Sequence, residues 1–262
     1  MKLALGTVQF GQSYGVANKP GQVSVAEATA IMEYAASSGI DMLDTAIGYG
    51  DSEQRSGEIT IRDWDECTSG FRQTFGGLHK LYGVEPDMAM FGKALGNGYA
   101  ITCTVGRREV MEAAQSTFIS STFWTERIGP TAALKTLEVM ERIMSWEKIT
   151  EIGLSVTARW KALAEKHALS VKTGGLPAIT SFAFDSPKSM EYKTLITQEM
   201  LAKGYLATNL MFICTEHSPE VLDGYFEALD PVFGLIRKCE DGLDVKTLLN
   251  GPVCHTGFRR LN

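Results

Sequence analysis

A lysine set among glycines is the first feature of this sequence that could do chemistry. Gly92-Lys93 directly follows the short apolar run Met88–Phe91, which predicts a β-strand, and Gly96 and Gly98 come soon after the lysine. Glycines let the backbone pass close to a ligand, so a lysine placed here can be held in a cleft. A partly desolvated lysine amine can form an imine with a carbonyl compound. The spacing alone is also typical of a surface lysine in a glycine-rich turn, because lysine is mostly exposed.

A carboxylate motif lies upstream of the lysine, at the end of the preceding predicted strand. Asp65-Glu66-Cys67-Thr68-Ser69-Gly70-Phe71-Arg72 lies at a strand end, Pro86-Asp87 leads into the strand before Lys93, and Ser120-Ser121-Thr122-Phe123 follows downstream. This order resembles the class III aminotransferases, a fold-type I family that depends on pyridoxal phosphate and includes the glutamate-1-semialdehyde aminomutases. The resemblance covers roughly residues 58 to 262.

The resemblance implies a role for several of these residues. Lys93 matches the lysine that forms the Schiff base with pyridoxal 5'-phosphate, and Asp65 matches the carboxylate that pairs with the pyridine nitrogen. Thr122 matches the threonine that binds the cofactor phosphate, typically across a homodimer interface. Cys67 stands where the family usually has an aliphatic residue packed against the pyridine ring. Glu66 belongs to the motif, but we assign it no chemical role.

Elementary chemistry supports the first two of these assignments. The cofactor withdraws electrons only while its ring nitrogen is protonated, and a carboxylate beside that nitrogen favours the charged form. Once an amino substrate displaces Lys93, the free amine can move a proton between substrate and cofactor carbons. We therefore expect amino-group transfer between a small-molecule amino donor and a carbonyl acceptor, or the internal shift of an aminomutase. Sugar-linked substrates and small semialdehydes both stay open.

The first 54 residues resemble a different family, the aldo-keto reductases. The matching stretches are Leu5–Gly11, Gly39–Ala46 and Tyr49–Glu53, within a βαβ pattern of barrel type. The resemblance implies that Asp44 and Tyr49 match two members of a catalytic tetrad that reduces carbonyls with a nicotinamide cofactor, Tyr49 being the proton donor.

The rest of that tetrad has no match. His79 and Lys80 lie in the aminotransferase-like part and match neither the histidine nor the lysine of the reductases. Tetrad residues act as a unit, so half of a tetrad does little. We therefore interpret Asp44 and Tyr49 as a reductase remnant.

Composition excludes several other classes of function. Net charge is −6, which argues against a nucleic-acid partner or an acidic membrane surface, and no apolar run reaches the length of a membrane span. The five cysteines are scattered, which suits free thiols in a reducing compartment, and we expect a cytoplasmic protein. Neither the cysteines nor the histidines His167, His217 and His255 show metal-ligand spacing, so no metal site is predicted.

The predicted fold class is α/β. We expect an aldo-keto-reductase-like βαβ fragment over 1–54, a partial large domain that binds pyridoxal phosphate over 55–149, and a small C-terminal α+β domain over 150–262. The long segment that normally precedes the aspartate strand in the class III family is expected to be missing. A sheet without its neighbours exposes unpaired strand edges. A catalytically inactive truncated chimera, joined from two gene fragments, is therefore the alternative to an active enzyme.

Local patterns predict further elements of these domains. Ser24 and Glu27 form a capping box, and Ser218 with Pro219 marks another helix start. The remaining predicted helices cover 107–118, 130–144, 146–167 and 188–203, and the remaining predicted strands cover 100–105, 177–184 and 205–214.

Overall fold

The computed structural model of the chain describes residues 4–14, 21–40, 42–45, 61–119 and 125–255. It divides into two compact units, Met1–Met144 with Gly257–Asn262, and Ser145–Thr256. Both units combine helices with a β-sheet, so the predicted α/β class is confirmed. None of the helices in the described ranges has the length and apolar character that a bilayer crossing requires.

The first unit is built on five strands and four α-helices in its described part. The strands are β1 (Ala4–Gly6), β2 (Met42–Thr45), β3 (Ile61–Glu66), β4 (Met88–Phe91) and β5 (Cys103–Gly106). The helices are α1 (Val8–Gly11), α2 (Val25–Ser37), α3 (Arg108–Met111) and α4 (Ile128–Ile143). Short 3₁₀ turns cover Leu78–Tyr82, Lys93–Leu95 and Glu112–Ser116.

The five strands form one sheet in the order β1-β2-β3-β4-β5. The pairs from β1 to β4 are all parallel, and β5 runs antiparallel to β4. The parallel strands therefore end at the same edge of the sheet, where the loops that follow them meet. Trp64, Ala89, Phe91, Leu95 and Ala133 form the buried core beside this sheet.

The reductase-like front end is part of this sheet. Strand β2 pairs with β3 from Met42↔Ile61 to Thr45↔Trp64, so it covers the edge of β3 that the sequence left without a neighbour. Helix α2 connects β1 to β2 and begins as predicted, with the Ser24 side chain accepting from the Glu27 amide. The division of the chain into three ranges by ancestry stays a prediction.

The same pairing brings two acidic residues alongside each other. The Cα atom of Asp44 lies opposite that of Asp63, and Asp65 is two residues further along β3. The side chains of Asp44 and Asp65 therefore stand on one face of the sheet, diagonal to each other. Burial raises the pKa of the Asp44 carboxyl, and the charge of Asp65 raises this pKa further. Oδ1 of Asp44 is buried without a hydrogen-bond partner.

The second unit packs three helices with a separate small sheet. Its helices are α5 (Ser145–Lys166), α6 (Ser189–Ala202) and α7 (Pro219–Glu240), and its strands are β6 (Val171–Leu176), β7 (Ile179–Phe184) and β8 (Leu210–Phe212). The strands are antiparallel in the order β6-β7-β8. A 3₁₀ turn covers Val245–Leu248.

An aromatic core holds this second unit together. Trp160, Phe182, Tyr192 and Phe233 are buried almost completely, and Phe182 packs against the Trp160 ring with centroids 4.7 Å apart. Nε1 of Trp160 donates to the hydroxyl of Tyr225 at 3.1 Å, which satisfies the indole inside the core. Helix α7 begins as predicted, because the Ser218 side chain accepts from the amide of Val221.

Several predicted elements differ from the observed ones. The helix expected over 107–118 breaks into α3 and a 3₁₀ turn, and the strand expected over 205–214 is limited to β8. Strand β6 was missed because Gly174 and Gly175 favour a loop. Pairing with β7 over six residues holds it as a strand, and Gly175 adopts a φ of 85° there.

His167 also has a partner that its sequence spacing did not indicate. It follows α5, and Asp230 on α7 bonds to its Nε2 at 2.5 Å. Lys166 donates to the other oxygen of the same carboxylate. Bonds from Lys166 and His167 lower the pKa of Asp230, so this carboxylate links two helices of the unit. His167 therefore has a structural contact within this unit.

The Trp160–Tyr225 bond predicts a loss of stability when its acceptor is removed. In Tyr225→Phe the indole N–H stays buried without a partner, which costs about 1–3 kcal/mol. We expect the amides of α5 and α7 to exchange hydrogen faster, with the free energy of opening lowered by this amount. Mass spectrometry of the full chain measures the exchange. The exposed Tyr82→Phe is the matched control. Equal protection in both variants would contradict the contribution of this bond.

The raised pKa of Asp44 predicts how stability of the first unit depends on pH. The protonated Asp44 carboxyl contributes its full stabilisation below the pKa of an aspartate in the unfolded chain, about 4. This stabilisation is lost as pH rises through the pKa of Asp44 in the folded chain. Asp44→Asn removes this titration. The variant should gain stability over the wild type as pH increases from about 4 to neutral.

Hydrogen exchange of peptides from β2 and β3 measures this difference. Glu33→Gln, on the exposed side of α2, is the control and should follow the wild type at every pH. A constant difference between Asp44→Asn and the wild type across the range would show that the carboxyl is not strained by burial and by Asp65.

Candidate functional site

The chemistry-bearing residues of the first unit lie where its parallel strands end. Asp44 is near the end of β2, Asp65 and Cys67 lie at the end of β3, and Lys93 comes two residues after β4. Because neighbouring parallel strands end at the same edge, these residues from three strands are brought to one place in the fold.

The backbone around Lys93 is locked into a tight turn. Gly92 is buried and extended, and Lys93 begins the 3₁₀ turn with a φ of 42°, in the left-handed region. A residue with a side chain costs roughly 1–2 kcal/mol in that region. Such strain persists only where the surroundings fix it, and it clusters at functional sites. The carbonyl of Lys93 accepts from the amide of Asn97 at 3.1 Å, which closes the turn.

The amine of Lys93 has a defined neighbour. Nζ donates to Oγ1 of Thr68 at 2.6 Å, although the lysine residue as a whole is exposed. Thr68 follows β3 and Lys93 follows β4, so this bond joins the two loops that carry the motif. The amine therefore faces the loop that follows β3.

Both Asp65 and Lys93 influence the pKa of the Cys67 thiol. The amide of Cys67 donates to Oδ1 of Asp65 at 2.8 Å, which ties that carboxylate to the start of the loop. Burial raises the pKa of the Cys67 thiol to about 11, with further upward contributions from a hydrogen bond and charge of Asp65, while the charge of Lys93 lowers it. The thiol is therefore neutral near physiological pH and is a weak nucleophile.

Asp44 reaches the same neighbourhood from the reductase-like front end. Its charge also acts on the Cys67 thiol, and its own pKa is raised by burial and by Asp65. Its backbone carbonyl accepts from both the amide and the hydroxyl of Thr7, at 3.0 and 2.9 Å, which fixes β2 to β1 at this level. Asp44 thus stands beside the aminotransferase-like motif.

Glu66 has a structural function that the sequence did not indicate. Its side chain is fully buried and accepts from Ser69 through Oε2 and from the backbone amide of His79 through Oε1, the second at 2.9 Å. The ring Nδ1 of His79 lies 2.9 Å from the same oxygen. A side chain at position 77 would disturb this pair, because its Cβ would overlap Cε1 of His79 and lie 2.8 Å from Oε1 of Glu66. Glu66 therefore fixes the loop that follows β3.

One feature of the sequence could have indicated the structural role of Glu66: it is a charged residue inside a predicted strand. Charged side chains are almost never fully buried unless they have partners, so its position next to Asp65 could have suggested an internal anchor. Arg72 is half-buried, and its Nε donates to the carbonyl of Thr68 at 2.7 Å. Burial lowers the pKa of Arg72. This arginine supports the loop that holds the Lys93 amine.

Two predicted site residues lie outside the described part of the chain, Tyr49 and Thr122. Their roles stay predictions. Within the described ranges, no group of three or more histidine, cysteine, aspartate or glutamate side chains could hold a metal ion, and none was predicted.

Comparison with known proteins gives two family matches. The model described as Aminotransferase class-III matches residues 62–212, and the model described as Aldo/keto reductase family matches residues 2–91. Both resemblances inferred from the sequence motifs are therefore confirmed. The two matches overlap from β3 to β4, where the front end joins the sheet.

Curated relatives agree with the first match. A 3-aminobutyryl-CoA aminotransferase of Cloacimonas acidaminovorans is 33% identical over 181 residues, which is 67% of this chain and 44% of the relative. A glutamate-1-semialdehyde 2,1-aminomutase of Methanocaldococcus jannaschii is 30% identical over 188 residues, 65% of this chain and 44% of the relative. The chain spans less than half the length of these relatives.

Solved structures show the same fold. The FumI protein of Sphingopyxis sp. MTA144, in its PLP internal aldimine form, is 20% identical and superposes with a TM-score of 0.65, over 90% of this chain and 53% of that one. An S-selective transaminase from Bacillus megaterium is 16% identical with a TM-score of 0.68, over 87% and 57%. Together with the family match over more than half of its residues, this places the chain in the class III aminotransferase family.

Proposed function

We propose that this chain carries out pyridoxal-phosphate-dependent amino-group transfer, as an aminotransferase or an aminomutase, with Lys93 as the residue that binds the cofactor covalently. One observation carries the proposal: the parallel pairing of β3 with β4 brings a carboxylate and an amine to one segment, where Asp65 accepts from the Cys67 amide and Lys93 donates to Thr68. An amine and a carboxylate held on neighbouring parallel strands can bind opposite ends of a flat aromatic aldehyde. The relatives that are named aminotransferase or aminomutase support the same class of reaction.

The residues of this edge fit the cofactor. Lys93 offers an amine that stands clear of the sheet, and Asp65 offers a carboxylate fixed by the Cys67 amide. The neutral thiol of Cys67 adds an uncharged surface between them. Pyridoxal phosphate, when bound, supplies an aldehyde for the lysine and a ring that withdraws electrons from the substrate carbon.

Each side chain then has one task. The Asp65 carboxylate would keep a proton on the ring nitrogen, because an adjacent negative charge favours the protonated form. Lys93 would hold the cofactor, and as a free amine it would move a proton between carbon atoms. Cys67 would supply an uncharged group beside the ring. By resemblance to the family, Thr122 would bind the phosphate and the chain would form a homodimer.

A reductase activity has weaker support. Asp44 lies beside Asp65 and Cys67, and Tyr49 is outside the described residues. His79 is bonded to Glu66, and the Lys80 amine donates to the carbonyl of Phe75. His79 and Lys80 therefore have partners other than Asp44. Binding of a nicotinamide cofactor distinguishes a reductase from the proposed function.

Lys93→Ala tests the proposed function. The wild-type chain, mixed with pyridoxal phosphate, should gain the visible absorbance of a cofactor attached to a lysine, and borohydride should fix the label on the peptide that contains Lys93. The variant should lose the visible band and the label on this peptide, because the amine at the site is gone. Lys80→Ala is the matched control and should label like the wild type.

Absence of labelling in the wild type at saturating cofactor contradicts the proposed function. That result would support the alternative of an inactive chimera that does not retain the cofactor. Labelling spread over the lysines without preference for Lys93 would also contradict the proposal.

Asp65→Asn tests the partner of the ring nitrogen separately. Asparagine retains an oxygen for the Cys67 amide but loses the charge. A hydrogen bond to a charged group contributes about 1.5–3 kcal/mol, so cofactor affinity should fall by roughly 10- to 100-fold. Titration with pyridoxal phosphate measures this, with Asp87→Asn as the control. Unchanged affinity in Asp65→Asn would exclude Asp65 from the site.

A further inference from the structure

Thr68 was given no role by the sequence motif, yet its hydroxyl contacts the amine on which the proposed function depends. Oγ1 of Thr68 is 2.6 Å from Nζ of Lys93, and the two residues are far apart in sequence. The bond crosses from the loop after β3 to the turn after β4. A contact between two separate loops can set the direction in which the lysine side chain points.

Both ends of this bond are fixed by the backbone. The carbonyl of Thr68 accepts from Nε of Arg72 at 2.7 Å, and the amide of Gly70 donates to the carbonyl of Glu66 at 2.8 Å. On the other side, the left-handed φ of Lys93 and its bond to Asn97 hold the start of the lysine side chain. The hydroxyl and the amine therefore meet between two rigid segments.

We propose that Thr68 is a positioning residue, whose hydroxyl holds the free amine of Lys93 in the orientation from which it meets the cofactor aldehyde. The assignment rests on the proposed function and extends it to a residue that the sequence analysis left without a role. Threonine suits the task, because branching at Cβ leaves χ1 few orientations. A hydroxyl can accept from a charged amine and donate to a neutral one, so the contact survives a change in the protonation of Lys93.

Thr68→Val and Thr68→Ser separate the hydroxyl from the shape of the side chain. Valine keeps the branched shape without the oxygen, and serine keeps the oxygen. The first measurement is the rate at which the cofactor-free full chain captures pyridoxal phosphate on Lys93, followed by visible absorbance. We expect capture by Thr68→Val to be about tenfold slower, which corresponds to one hydrogen bond to a charged group. Thr68→Ser should restore the wild-type rate.

A second measurement makes no use of the cofactor. Formaldehyde with borohydride methylates lysine amines from any direction, and peptide mass spectrometry reports methylation at Lys93 relative to the other lysines. Because valine releases the amine from its hydroxyl partner, Lys93 in Thr68→Val should be methylated faster than in the wild type. Thr68→Ser and the exposed control Thr104→Val should match the wild type.

The two measurements distinguish this inference from the proposed function. Slower capture of pyridoxal phosphate together with faster methylation in Thr68→Val supports the positioning role. Equal capture rates in Thr68→Val and the wild type, or a parallel slowing of both reactions, would overturn it. If the wild type captures no pyridoxal phosphate, the proposed function fails. The methylation rates then decide alone, with faster methylation in Thr68→Val supporting the contact and equal rates excluding it.

Discussion

The parallel pairing of β3 with β4 is the constraint on which the rest of the site depends. It sets Asp65 and Lys93 at the ends of neighbouring strands, so an amine and a carboxylate share one edge of the sheet. The hydrogen bond from the Cys67 amide to Asp65 and the bond from Lys93 to Thr68 then fix the two charged groups on their loops. A register shift of one residue would turn Asp65 to the other face and separate the pair.

Buried anchors keep this edge in place. Glu66 is adjacent to Asp65 but points into the interior, where Ser69 and His79 satisfy its carboxylate. The alternation of side chains along β3 thus sends one acid to the site and the next one to the support beneath it. The front end contributes β2, which pairs with β3 and brings a second carboxyl, Asp44, next to Asp65. A strand that resembles another family thereby becomes the neighbour that the aminotransferase-like sheet needs.

Sequence patterns predicted the parts that local chemistry controls. The caps at Ser24 and Ser218 and the strand before Lys93 follow from nearby residues, and the structure has all three. Patterns failed where distant pairing decides: β6 contains two glycines and exists because β7 holds it. The role of Thr68 depends on a contact between two loops, and that of Glu66 on a histidine in a later turn, so neither could be derived from spacing. The joining of β2 to β3 was missed for the same reason, because no local signal specifies which strand becomes a neighbour.

A crystal structure of the full chain grown with pyridoxal phosphate tests the central claim most directly. The account predicts continuous density between Nζ of Lys93 and the cofactor, with a carboxylate oxygen of Asp65 within hydrogen-bond distance of the ring nitrogen. Density for the cofactor at another place, or Lys93 and Asp65 facing different sides of the first unit, would contradict it.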